Sequence, residues 1–260
     1  MIAAYIALAI PIVTPMPESY TERLPDHLVE FKMIYVPAGK VNIRGKEVEV
    51  KAFYISETEV TWDLYDVYYL RLDMTPEQRE ANHDAASRPS RPYGAVDRGY
   101  GHKGYPAIGV AAPASEVFCK WLEGKFNRPY RIPNEAEWEY AARANAPLPE
   151  KWDDYAVFWD TSEDKTEAVK SKKPNAWGLF DMIGNASEWV KSLDDPSVMT
   201  TAGGHFNYEG PDLGPSLREP YTIKWQDRDP QVPKSRWWLS DGPQVGFRIV
   251  VSADQVNLEQ

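Results

Sequence analysis

Tyr130-Arg131-Ile132-Pro133-Asn134-Glu135-Ala136-Glu137-Trp138-Glu139-Tyr140-Ala141-Ala142-Arg143 is the stretch on which the reading of the fold turns. Asn134 is placed to accept hydrogen bonds from the free amides of a helix start, and Glu137, three residues on, reaches back to the Asn134 amide. Trp138, Ala141 and Ala142 then fall on one helical face as a buried stripe. Glu135, Glu137 and Glu139 in the first turns suit the positive end of the helix dipole and need no acid chemistry. Further along comes Pro174-Asn175-Ala176-Trp177-Gly178-Leu179-Phe180-Asp181-Met182-Ile183-Gly184-Asn185-Ala186-Ser187-Glu188-Trp189, and near the C-terminus Gly246-Phe247-Arg248.

Upstream, Met33-Ile34-Tyr35-Val36 reads as a strand closed by Pro37. Val41 and Ile43, a turn at Gly45, then Val48, Val50 and Phe53 read as a hairpin. Ser56-Glu57-Thr58-Glu59 has capping-box spacing, and Thr61 is a second possible cap for a helix reaching Leu72. Thr75 to Gly104 lacks apolar periodicity and is expected to be a long surface loop, a candidate lip for a cleft. Pro113, Phe118, Trp121 and Leu122 predict an amphipathic helix that stops at Gly124. Cys119, the only cysteine among 260 residues, falls inside it. A lone thiol on such a face is expected to pack rather than react, since no His or strongly cationic cluster in the local sequence would favour the thiolate.

With 43% hydrophobic residues the chain can bury one large core, and one domain is expected. Ten Trp and fifteen Tyr require much of that core, or of a concave surface, to be aromatic. A net charge of -10 repels phosphate backbones, so nucleic acid is not an expected partner. Ile2 to Val13 is an apolar run too short to span a bilayer as a helix, so no transmembrane helix is expected. It resembles the apolar part of a secretory signal without the usual preceding cation, which points to export or the periplasm, with a cytoplasmic location as the alternative. The organisation expected is an apolar segment and linker over 1–30, one domain over 31–251, and a frayed tail over 252–260.

The three motifs in order, joined by Glu59-Val60-Thr61 and Gly104-Tyr105-Pro106-Ala107-Ile108, resemble the formylglycine-generating-enzyme, or sulfatase-modifying-factor, family from about Phe31 to Val250. The resemblance implies an α+β fold related to C-type lectins, low in regular secondary structure, with a small twisted sheet and calcium-stiffened loops. Family members often carry a packed cysteine where Cys119 stands. The oxidising enzymes of the family bind copper(I) through two cysteines that follow a Gly-Gly-Ser segment, soft thiolates being what selects that ion. Here the matching segment is Gly203-Gly204-His205-Phe206-Asn207-Tyr208, with Tyr208 at the first cysteine position and Leu213 near the second, so no copper is expected and formylglycine generation is disfavoured.

Asp181, Glu188 and the carbonyls of Gly184 and Ala186 could converge on one point as hard oxygen ligands. The family binds calcium at the matching positions, which makes calcium the expected structural cofactor. The alternative is that Asp181 caps a turn and Glu188 pairs with a cation such as Arg248. None of His27, His83, His102 and His205 pairs with another at metal-ligand spacing. His205 is the catalytic candidate because it stands beside the family's active site, though a hydrogen-bonded wall residue is the more ordinary role. Together His205, Tyr208, Trp237 and Trp238 are the candidate ligand cleft, with core packing the commoner use of such tryptophans. Two functions follow: an exported binding module for a peptide, protein or glycan, or a metal-dependent oxidoreductase of the same family with non-cysteine chemistry. Oligomeric state is not legible in the sequence.

Overall fold

The computed structural model describes residues 18–81 and 87–257. The apolar run 2–13 and His83 lie outside them. Among the described residues the elements are mixed and short. Strands β1 (Tyr20–Arg23), β2 (Glu30–Val36), β3 (Gly39–Ile43), β4 (Lys46–Val50) and β5 (Phe53–Ser56) come first, then helices α1 (Trp62–Tyr69), α2 (Pro76–Ala81), α3 (Ala112–Phe126) and α4 (Glu135–Arg143). Strands β6 (Ser187–Lys191), β7 (Met199–Ala202), β8 (Arg218–Pro220), β9 (Val245–Gly246) and β10 (Val250–Ser252) follow. The class is α+β, as expected.

Two four-stranded sheets and a ribbon carry the fold. One sheet runs β1-β2-β5-β10, all antiparallel, and the other runs β8-β7-β6-β9 with β6 and β9 parallel. Strands β3 and β4 form the expected hairpin around Gly45. Phe53 does not continue that hairpin: it opens β5, which pairs with β2. The supposed linker before Phe31 contributes β1, whose Leu24 end is buried, and the C-terminal tail begins with a 3-10 turn at Ala253–Gln255. Residues 20–23 and 252–253 are therefore tied down by backbone pairing that short polar segments do not advertise.

Helix α4 follows the capping argument closely. The Asn134 side chain accepts from the amides of Ala136 and Glu137, both at 2.9 Å, while Glu137 accepts from the Asn134 amide at 3.0 Å. The helix acids are less exposed than the dipole argument implies. Glu135 and Glu139 are buried and bonded to Arg44, Arg218 and Arg143. In α1 the cap position is Thr61, without a side-chain cap bond, whereas Ser56 ends β5. In α3 the chain runs past Gly124 to Asn127, which takes the left-handed conformation at φ 52° that ends the helix. The Thr75–Gly104 stretch is not all loop, since α2 occupies its start.

Side chains pack as two clusters. One is aromatic and joins α1 and α3 through Trp62, Tyr65, Tyr68, Phe118, Trp238 and Phe247; the other is mostly aliphatic and joins β2–β5 to α4. Among the described residues no helix is long and apolar enough to cross a membrane.

Candidate ligand-binding site

The Asp181–Glu188 stretch is a tight turn feeding β6. Gly184 has φ +77°, and a Cβ there would lie 2.2 Å from the Val157 carbonyl oxygen, so only glycine lets the two backbones meet. Its amide donates to Gly203 O at 3.0 Å, and the Asn185 amide to Val157 O at 2.7 Å. This stitching aims Glu188 into the interior, where it meets Arg248 from the Gly246-Phe247-Arg248 motif. Arg248 Nε donates to Glu188 Oε2 at 2.6 Å and Nη2 donates to Oε1 at 2.7 Å, while Trp138 Nε1 donates to Oε2 at 2.6 Å. Both partners are dry, with 1% and 0% of their surfaces exposed.

Two further carboxyls share this interior. Asp181 accepts the Lys170 amide at 2.8 Å, and Glu59, on the segment between β5 and α1, accepts the Ala186 amide through Oε1 at 3.4 Å. Among the described residues its Oε2 has no hydrogen-bond partner. Burial, then the charges of Asp181 and Glu188, push Glu59 well above the usual carboxylate range. Burial raises Asp181 to about 6 despite the Lys170 amide and Arg248. Three carboxyls thus face one guanidinium, an excess of negative charge that protons or a cation must balance.

The group fits a cation in charge, through Asp181 and the orphaned Glu59 oxygen. Glu188 does not fit as the fourth ligand. Both its oxygens are held by Arg248 and Trp138, and among the described residues no three His, Cys, Asp or Glu side chains are gathered as a metal cage. The alternative reading of Glu188 as the partner of Arg248 is the one realised.

The four expected cleft residues divide into two places. His205 is buried; its Nε2 lies 3.4 Å from Glu219 Oε2, its Nδ1 has no partner among the described residues, and its ring packs edge-on against Tyr208 at 5.9 Å. Among the described residues no second histidine joins it. Trp237 and Trp238 sit in a strand-like run beside residues 109–111: the Ala111 amide donates to Trp237 O at 3.0 Å and the Leu239 amide to Gly109 O at 2.7 Å. Trp237 is buried in the core, whereas Trp238 also lines a cavity of about 240 Å³.

The long loop links the two places. Ser90 O accepts Trp238 Nε1 at 2.8 Å, and Tyr100 packs edge-on against Phe206 at 5.4 Å. Arg98 Nη2 donates to Leu239 O and Ser240 O at 3.0 and 2.9 Å, fastening the loop over the C-terminal segment. His102 fastens it to α1, with Nε2 2.7 Å from Asp66 and Nδ1 2.9 Å from Asp97, and its ring stacks on Trp62. Carboxylates on both ring nitrogens require both to carry protons. Partial burial pulls the His102 pKa down, but the bonds and charges of Asp66 and then Asp97 outweigh it and raise it. Also lining the cavity, Asp229 accepts the Gln231 and Ser235 amides at 2.9 and 2.6 Å and so winds a tight loop. Sequence reasoning named the lip and Trp238 but missed the fasteners, because Arg98, His102 and Asp229 pair with residues distant in sequence or with bare backbone.

The sulfatase-modifying factor enzyme 1-like domain matches residues 25–253. The chain belongs to that family. It is 32% identical to the bovine formylglycine-generating enzyme over 129 residues, 42% of this chain and 32% of that one, so it spans about a third of that relative's length. In fold it is similar to Treponema denticola variable protein 1, at a TM-score of 0.65 and 21% identity over 91% of this chain and 99% of the other. It is also similar to PvdO from Pseudomonas aeruginosa, at 0.61 and 24% over 85% and 94%. Within this sulfatase-modifying-factor fold the single thiol, Cys119, is 3% exposed, and burial raises its pKa well above the ordinary range, as a packed and unreactive cysteine requires.

Proposed function

We propose that this sulfatase-modifying-factor domain is a binding module for a peptide, protein or glycan and does not use the copper and thiol chemistry of the oxidising enzymes. One observation carries the reading: the long loop, pinned by Arg98 and His102, closes with the Asp229 loop on a cavity walled by Trp238. A preformed recess with an aromatic wall and several convergent polar groups is what ligand recognition needs. The position expected for the first copper thiolate holds Tyr208, whose phenol cannot serve as a soft ligand. Calcium belongs to the reading as the cation balancing Asp181 and Glu59, and export belongs to it through the apolar run 2–13. The test is a screen of the purified chain on peptide and glycan arrays beside a Tyr93→Ala variant, Tyr93 being an exposed residue of the cavity rim. The reading expects ligands whose signal the variant loses; ligands bound equally by both proteins would place recognition elsewhere.

A further inference from the structure

The charge of the cavity runs against that of the chain. The protein as a whole carries a net charge of -10, yet among the described residues the cavity wall presents Arg91, Arg98 and Arg228 against a single acid, Asp229. That acid is spent on two backbone amides. Arg228 is paired through Nε with Asp241, and Arg98 uses one nitrogen on carbonyls, which leaves guanidinium donors on both. Arg91 is exposed and, among the described residues, makes no ion pair with an acid. Val96, Ile108 and Trp238 supply apolar wall beside these cations.

Resting on the binding-module reading, we infer that the cavity takes a carboxylate joined to a compact apolar body, the chemistry of a chain-terminal residue of a peptide. Planar guanidinium groups match a carboxylate in geometry as well as charge. The volume, about 240 Å³, falls just below the ~300 Å³ at which drug-sized pockets begin, so a terminal group fits better than an extended ligand. The apolar wall takes the side chain while the arginines take the carboxylate.

N-acetyl-L-phenylalanine and its neutral amide, N-acetyl-L-phenylalaninamide, separate the parts of the inference, because they differ only in the charged group. Titration of the full chain, followed by tryptophan fluorescence and calorimetry, is expected to show the acid binding about tenfold more tightly than the amide. Arg91→Gln, which removes an exposed side chain and leaves the fold intact, is expected to erase most of that preference while leaving amide binding unchanged. Equal binding of acid and amide, or an unchanged preference in Arg91→Gln, overturns the carboxylate inference but leaves the cavity as a binding site. Binding of neither probe overturns both.

Discussion

The interior around Glu188 and the surface around Trp238 both place charged groups beside large aromatics, but they use them in opposite ways. In the interior, Arg248 and Glu188 meet with every guanidinium nitrogen engaged, under the indole of Trp138. At the surface, arginines fasten a loop and still hold donors toward a cavity. A charge sealed from water must be matched or neutralised, whereas one at the rim of a recess can wait for a ligand. The first arrangement serves the fold and the second leaves room for function.

The difference can be broken most forcefully at the interior pair. Glu188→Gln leaves Arg248 buried without its anion and is expected to cost about 3–5 kcal/mol of stability, read as a fall in the denaturation midpoint; a loss under 1 kcal/mol would mean that the pair is not sealed. Asp181→Asn acts in the other direction. Its carboxyl is raised from 3.8 to about 6 in the folded chain, so its contribution to stability is present at low pH and is lost as pH rises through 6. Removing that charge at pH 7 in chelator is expected to stabilise by on the order of 1–3 kcal/mol. If calcium is the balancing ion, it raises the melting temperature of the parent chain, and the Asn variant loses most of that rise.

At the surface the expected effects are local. His102 is raised above its ordinary 6.5, so its clamp is complete below that value and loosens as pH climbs through the folded pKa. The Gly99 and Gly104 amides, which flank His102 and donate to Asp97 and Asp63, report on the clamp: their hydrogen exchange is expected to exceed the intrinsic increase with pH over that range, and His102→Gln to show the faster exchange at all pH values. Uniform protection across the range would show that Arg98 holds the loop alone. The smallest effect is expected from Cys119→Ser, which loses some stability to a buried hydroxyl and leaves ligand binding unchanged; lost binding in a folded variant would mean the thiol is more than packing.

What could be read from sequence follows the range of the forces involved. The Asn134–Glu137 capping box, the strand at Met33–Val36 and the burial of Cys119 depend on neighbours a few residues away, and their patterns are visible. The pairing of Arg248 with Glu188 was one of two open readings, because sequence does not say whether a carboxylate faces a metal or a guanidinium 60 residues later. Strand β1 was hidden because its partner, β2, supplies the reason for it to be ordered. The cleft was half visible for the same reason. Tryptophans at Trp237 and Trp238 announce an aromatic site, but only the path of the long loop decides which of the two faces a cavity and that His205 does not join them.

The measurement that bears most directly on the whole account is oxidation itself. Purified chain loaded with copper(I), given oxygen and a cysteine peptide of the sulfatase type, is expected to leave the peptide thiol unconverted by mass spectrometry, even at stoichiometric enzyme. Appearance of the aldehyde with turnover would contradict the account, because a chain with one buried cysteine would then be doing chemistry that the proposed reading reserves for a pair of thiolates.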